Sequence, residues 1–253
     1  MDPFEIQRMF SLEDTYWWFV ARRDLARVAV ARYLRGRSAR RVLDVGCGTG
    51  ANLTEMSQFG PVVGLDRAAE ALQLSRSRGH RQLVQGTAEQ LPFRDGTMDV
   101  VLALDILEHV ADDVQVLREC RRVLVAGGLL VLSAPAYRLL WSEHDVALSH
   151  HRRYTAGDIA RRLRRAGLRP RRVSYAIMTL FPPIFLFRRL QRLLGRKGRP
   201  MTTLIPLPPI LNRLFIAILW LESRLMLRVS LPAGVSLMAV ARRPARPDHE
   251  GVL

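Results

Sequence analysis

A chain of 253 residues, 49% of them hydrophobic, holds one sizeable α/β domain with room for an insertion. Its net charge of +16 is carried almost wholly by arginine, Lys197 being the sole lysine, so the basicity permits an anionic lipid surface or nucleic acid and chooses neither. Two cysteines, Cys47 and Cys120, exclude a disulfide framework, and the acidic start Met1-Asp2-Pro3-Phe4-Glu5 lacks the marks of a secretory signal, so a cytoplasmic location is expected.

Residues 1–38 read as helical, with Tyr16-Trp17-Trp18-Phe19 and Arg22-Arg23 in their middle. From Arg41 apolar β-type runs alternate with helical patterns. The runs are Arg41–Val45, Pro61–Leu65, Gln82–Gln85, Met98–Leu104 and Leu129–Ser133. The helical patterns are Ala51–Gln58, Ala68–Arg78 and Asp112–Leu124, with Asp112 as N-cap and Gly127-Gly128 as a stop signal. Such alternation predicts a parallel sheet with crossover helices. A polar and aromatic loop, Pro135 to Tyr154, leads to a basic helix, Ala156–Ala166, capped by Thr155. Leu168–Tyr175 and Gly234–Ala241 read as sixth and seventh strands. Between them lie about sixty residues rich in Pro, Leu, Ile, Phe and Arg, read as an insertion. Its longest apolar stretch, Leu204 to Leu221, is broken by Pro206, Pro208, Pro209, Asn212 and Arg213. The remaining run falls short of the roughly 20 residues that span a bilayer.

The central motif is Asp44-Val45-Gly46-Cys47-Gly48-Thr49-Gly50, a glycine turn after the first strand. Its Gly-x-Gly-x-Gly spacing differs from the Gly-x-Gly-x-x-Gly of dinucleotide sites. Asp44 would repel a pyrophosphate and suits a ligand with an amino group. Asp66 closes the second strand, where an acid accepts both hydroxyls of a ribose. Gly86-Thr-Ala-Glu-Gln-Leu-Pro-Phe93 and Asp99-Val-Val-Leu-Ala-Leu-Asp105 follow. All fall at carboxyl ends of strands, where open α/β sheets bind ligands.

These segments resemble the class I methyltransferases, specifically the type 11 group, through Leu43-Asp-Val-Gly-Cys-Gly-Thr-Gly50, Ala88-Glu-Gln-Leu-Pro-Phe93, Asp105-Ile-Leu-Glu-His-Val110 and Arg121-Arg-Val-Leu-Val-Ala-Gly-Gly128. The resemblance covers about residues 40 to 175 with Gly234–Ala241. It implies a Rossmann-like, seven-stranded, mostly parallel sheet with helices on both faces, an antiparallel last strand, and a hydrophobic helical insertion between strands six and seven. It also implies S-adenosylmethionine as cofactor. On this reading Asp44, Gly46, Cys47, Gly48 and Gly50 line its methionine part. Asp66 holds the ribose with Arg67 beside the adenine, Ala88 and Glu89 border the adenine, and Leu104 and Asp105 lie near the ribose or methionine end. The Tyr16–Phe19 segment is similar to the N-terminal signature of one branch, which implies a lid over the cofactor and adds Trp17. The expected division is a lid over 1–38, a core over 39–175 with 232–243, an insertion over 176–231 and a flexible tail over 244–253.

Methyl transfer to oxygen needs a proton acceptor. The candidates are His144 and His151 in the loop after strand five, and His109 after strand four. The pattern Asp105-x-x-Glu108-His109 is similar to one in quinone-pathway O-methyltransferases that implies a divalent metal. The sequence offers no further ligand, so no metal ligand is assigned. In the insertion, Phe181-Pro-Pro-Ile-Phe-Leu-Phe187, Arg188-Arg-Leu-Gln-Arg-Leu-Leu194 and Leu214–Leu227 set apolar side chains beside arginines, the profile of a helix in a membrane interface, or of a pocket cap or dimer contact. The expected function is O-methylation of a membrane-associated or lipid-linked small acceptor at the inner face of the membrane. The alternatives are a soluble sugar or secondary-metabolite methyltransferase, an RNA methyltransferase suggested by charge alone, or a non-catalytic membrane scaffold.

Overall fold

The computed structural model describes residues 3–35, 38–193, 204 and 207–245. The basic stretch Arg196-Lys197-Gly198-Arg199 and positions 246–253 of the expected tail lie outside the described residues.

Seven strands form one sheet: β1 (Val42–Val45), β2 (Val62–Asp66), β3 (Leu83–Gln85), β4 (Met98–Leu104), β5 (Leu124–Pro135), β6 (Arg169–Ala176) and β7 (Ser236–Arg242), in the spatial order β3-β2-β1-β4-β5-β7-β6. The first five run parallel, and β7 is antiparallel to both β5 and β6. Strand order reverses between β1 and β4, the switch point at whose carboxyl ends open α/β sheets have their ligand crevice.

The sheet is buried on both faces, so its strands read as continuous apolar runs that divide by period two. Leu43, Val45, Val101, Ala103, Leu130 and Leu132 face α5 (Asp113–Val123) and α7 (Ala156–Arg165). Val42, Val100, Leu102, Leu129 and Val131 face the opposite core, which contains Ala26, Ala29 and Val30 of α2 (Trp17–Leu34) and Leu219 and Met226 of α9 (Pro209–Met226). Asp112 caps α5 through the Gln115 N–H at 2.9 Å, and a Thr155–Asp158 capping box starts α7, as the sequence predicts. The fifth strand is longer than predicted. It starts at Leu124, before the Gly127-Gly128 pair, because Gly127 bends within the strand at φ +77° rather than ending a helix after it.

The insertion supplies α8 (Phe181–Leu193) and α9. Asp24 of α2 accepts from Ser223 and from Arg224, both at 2.8 Å, and Asn212 accepts from the Trp17 N–H at 2.9 Å. These bonds fasten α9 to α2. Glu222, buried, accepts from the Met178 and Thr179 N–H groups, each at 2.9 Å, and sets the chain's entry into α8. Among the described residues no helix is long and apolar enough to cross a membrane.

Candidate functional site

The glycine turn leaves β1 with Gly46, Gly48 and Gly50 at positive φ. A Cβ on Gly46 would fall 1.9 Å from Ile106 Cδ1, whereas one on Gly48 would meet nothing within 4 Å. Gly48 therefore borders open space, and its φ of +53° is what its residue type satisfies there. The Gly48 N–H donates to Asp66 Oδ2 and the Ala68 N–H to Asp66 Oδ1, both at 2.9 Å. Asp66 thus ties the turn to the end of β2. Cys47 is buried and its thiol pKa is pushed up by burial and by Asp44, so it packs as an apolar group.

Asp44 is fully buried, and neither of its carboxylate oxygens has a hydrogen-bond partner. Burial raises its pKa to about 7, against smaller opposing effects of Asn52 and Arg22. Arg22 Nε and Trp17 Nε1, both carried on α2, are likewise buried without partners. Buried polar groups are rarely left so. An acid suits an ammonium, and a guanidinium or an indole N–H suits a carboxylate, the two charged groups at the amino-acid end of S-adenosylmethionine.

Arg22 also bonds Asp105 at the end of β4, and Ser133 Oγ donates to Asp105 Oδ1 at 2.7 Å. Burial would raise the Asp105 pKa, but Arg22 and Ser133 outweigh it and hold it below the usual carboxylate value. Asp105 has φ +54°, a left-handed conformation uncommon for a residue with a Cβ. Beneath α2, Glu13 is buried against the Thr49 hydroxyl of the glycine turn and Arg78 Nη2 at 2.9 Å, so the α1 (Pro3–Leu12) to α2 connection sits on that turn. Long-range contacts of this kind carry no spacing signal, and the sequence reading did not find Glu13.

The remaining expected cofactor residues flank the crevice. Arg67 is exposed just past β2, and its carbonyl accepts from Gln85 at 3.2 Å. Ala88 and Glu89 are half-buried in the turn after β3, and Leu104 is buried at the end of β4. Trp17 packs edge-on against Trp18 and Phe215.

The three candidate bases separate. His109 lies in the short helix Leu107–His109 beside Asp105 and Glu108, and burial with neighbouring His150 lowers its pKa to about 4. His144, on α6 (Glu143–Ala147), is lowered to about 3 by burial and by Arg188. His151 is exposed, and only its backbone N–H reaches the cluster, donating to the Glu108 carbonyl at 2.7 Å. Its neighbour His150, which the sequence reading passed over, turns inward. His150 Nδ1 lies 3.0 Å from the fully buried Asp145, and its ring stands 4.7 Å from that of His109 and 6.3 Å from that of His144. The signal was the acid five residues upstream. Glu108, His109 and His150 each offer one ligand atom, and the three atoms lie within 4.8 Å of one another. Glu108 is buried, one of its oxygens has no partner, and burial together with Asp105 raises its pKa well above the usual value. The donor set fits a divalent cation.

Residues 43–132 match the family model described as "Methyltransferase domain". The chain is 30% identical over 159 residues to a probable S-adenosylmethionine-dependent methyltransferase of Mycolicibacterium smegmatis, covering 61% of this chain and 60% of that one. It is 32% identical over 147 residues to a ubiquinone biosynthesis O-methyltransferase of Aliivibrio fischeri, covering 53% and 63%. The chain thus spans less than two thirds of either relative. A chain in the complex of the Haloferax volcanii Trm112 methyltransferase activator with a putative methyltransferase superposes with a TM-score of 0.63 at 20% identity, covering 96% of both, which shows the shared fold. The family model, the motifs within it and these relatives together show that residues 43–132 form a class I S-adenosylmethionine-dependent methyltransferase domain of the type 11 group.

Proposed function

We propose that this chain transfers the methyl group of S-adenosylmethionine to an oxygen of a small acceptor that is membrane-associated or lipid-linked. The observation that carries the donor side is the buried, unbonded Asp44 carboxylate at the head of the glycine turn, with the Arg22 charge close enough to act on it. When bound, the cofactor supplies an electrophilic methyl group on a sulfonium. Asp44 pairs with its ammonium, Arg22 and Trp17 with its carboxylate, and Asp66 with its ribose. Arg67, Ala88 and Glu89 border the adenine. The segment 1–38 serves as a lid, held down by Glu13 on Thr49 and by Arg22 on Asp105.

The oxygen acceptor is supported by the ubiquinone biosynthesis O-methyltransferase among the relatives and by the histidine cluster beside Asp105. His109, half-buried and neutral at physiological pH, takes the acceptor's hydroxyl proton. A second reading is favoured by the spacing of Glu108, His109 and His150: these three would hold a divalent cation, which would supply Lewis-acid activation of the acceptor hydroxyl. Metal content of the purified protein, and its loss in Glu108→Gln, decides between them.

The membrane part is supported by α9. Ile210, Leu214, Ala217, Leu221 and Leu225 are exposed and recur every three or four residues, so they form one apolar stripe on its outer side. Leu186, Phe187 and Leu190 of α8 are exposed too, with Arg189, Arg213 and Arg228 exposed nearby in sequence. An apolar stripe flanked by arginines suits the interface of an anionic bilayer.

The test incubates the purified protein with methyl-labelled S-adenosylmethionine and a lysate of its source cells, followed by partition into organic solvent. Label in the organic phase is the expected result. Label confined to the aqueous phase removes the lipid acceptor, and no labelled product removes methyl transfer itself.

A further inference from the structure

We propose that Arg188, on helix α8 of the insertion, receives an anionic phosphate or diphosphate group of the acceptor; this deepens the lipid-linked reading above and rests on it. The Arg188 guanidinium is partly buried and donates to one neutral partner, the Leu140 carbonyl at the end of the short helix Arg138–Leu140. Among the described residues no carboxylate forms an ion pair with it. The nearest acid in effect is Asp145, and Asp145 is already engaged. One of its oxygens takes His150 Nδ1 at 3.0 Å and Arg153 Nε at 2.7 Å, while the other takes Arg153 Nη2 at 3.1 Å and the Ser142 N–H at 2.8 Å. Asp145 is therefore committed to Arg153 and His150, and Arg188 has no carboxylate of its own among the described residues.

A charge partly withdrawn from water and bonded only to a carbonyl is destabilising. Its surroundings register this: burial and neighbouring Arg153 pull the Arg188 pKa down to about 10. An anion in front of Arg188 removes that penalty, and a planar guanidinium matches two phosphate oxygens at once. The position suits an acceptor. The rings of His144, His150 and His109 form a row, with centroid spacings of 6.3 and 4.7 Å, leading from the neighbourhood of Arg188 to Asp105. The anion is thereby held at one end of the row and the methyl-accepting atom at the other. Leu139 and Val146, exposed on the short helix Arg138–Leu140 and on α6, offer apolar surface for an attached chain.

The experiment uses the full chain as wild type, Arg188→Gln and Arg188→Lys, with hexyl phosphate as the probe, hexanol as its uncharged control, and vesicles of phosphatidylcholine with phosphatidylglycerol as a second arm. Calorimetry should show hexyl phosphate binding to wild type and hexanol not. Arg188→Gln should weaken binding about tenfold or more, with Arg188→Lys in between. Loss of vesicle binding in Arg188→Gln with hexyl phosphate unaffected assigns the same site to a bilayer headgroup. Equal binding of hexyl phosphate and of vesicles by wild type and Arg188→Gln overturns the proposal, as does wild type binding neither probe. Two controls keep the outcomes apart. Arg188→Gln should keep the S-adenosylmethionine-induced rise in melting temperature, which shows that it is folded. Organic-phase labelling by wild type in the lysate assay reports on methyl transfer to a lipid whatever Arg188 does.

Discussion

Arg22 of α2 reaches across to Asp105 at the tip of β4, so the N-terminal helix and the sheet's ligand-binding edge are joined by one ion pair. Both side chains are about one-fifth exposed, so the pair is neither a solvated surface bridge nor fully withdrawn from water. Removing one member leaves the other partly buried and uncompensated. Arg22→Ala should lower stability by about 2 kcal/mol and weaken S-adenosylmethionine binding about tenfold. The double variant Arg22→Ala/Asp105→Asn should recover stability but not cofactor affinity, because it removes the stranded charge and leaves the carboxylate of the cofactor without its guanidinium. Thermal melting and titration calorimetry on the three proteins check both halves.

Asp44, as the proposed partner of the cofactor's ammonium, should make cofactor binding depend on pH near neutrality. In the unfolded chain an aspartate titrates near 3.9, and in the fold burial raises Asp44 to about 7. Between those values the folded state holds a proton that the unfolded state has lost. Stability of the cofactor-free protein should therefore fall as pH rises from about 4 to about 7, by a few kcal/mol at most. Cofactor affinity should move the opposite way, strengthening as pH rises through 7, because the ammonium needs an ionised partner. Asp44→Asn should flatten the pH profile of affinity and raise the melting temperature of the cofactor-free protein at pH 8. An affinity profile of unchanged shape in Asp44→Asn would rule out this role.

Asp24 fastens the insertion to the N-terminal helix through Ser223 and Arg224, while Arg27 of its own helix pairs with its other oxygen. Burial alone would raise its pKa, yet Arg224, Arg27 and Ser223 together hold it below the usual value. A depressed carboxylate contributes stability that is present above its unfolded pKa and disappears as pH falls through its folded one. Asp24→Asn should cost about 1 kcal/mol at pH 7, given partial exposure of the network, and progressively less as pH falls below the usual carboxylate range. Hydrogen exchange should place the loosening in α9 and the facing side of α2. Uniform loosening of the sheet would contradict a local fastening.

Most of the fold was legible because a sheet buried on both faces writes its strands as apolar runs, and because Asp112, Thr155 and the glycine turn are local signals. Met98–Leu104 was read to the residue. The misjudged start of β5 came from Gly127, whose positive φ serves a bend inside a strand and reads identically to a helix stop. The glycine turn, Asp66 and Asp105 were legible through motif order, but what they meet in three dimensions was not. Glu13 meets Thr49 and Arg22 meets Asp105 across 36 and 83 positions, and no periodicity encodes that. His150 and His151 are chemically alike in sequence. Only the fold turns the first toward Asp145 and leaves the second in solvent.

The α9 stripe makes a prediction of its own. Leu214 and Leu221 are 51% and 63% exposed, so neither holds the fold together, and replacing both should leave the melting temperature and cofactor affinity nearly unchanged. In a bilayer interface each leucine withdraws about 1–2 kcal/mol worth of apolar surface from water. Leu214→Glu/Leu221→Glu should therefore reduce binding to anionic vesicles by about tenfold or more in a sedimentation assay, and cut organic-phase labelling in the lysate assay in step. If the stripe instead meets a second copy of the chain, the same variant shifts the sedimentation coefficient of the protein in vesicle-free buffer and leaves vesicle binding alone. The two outcomes separate a membrane-facing helix from a dimer contact without requiring the acceptor to be known.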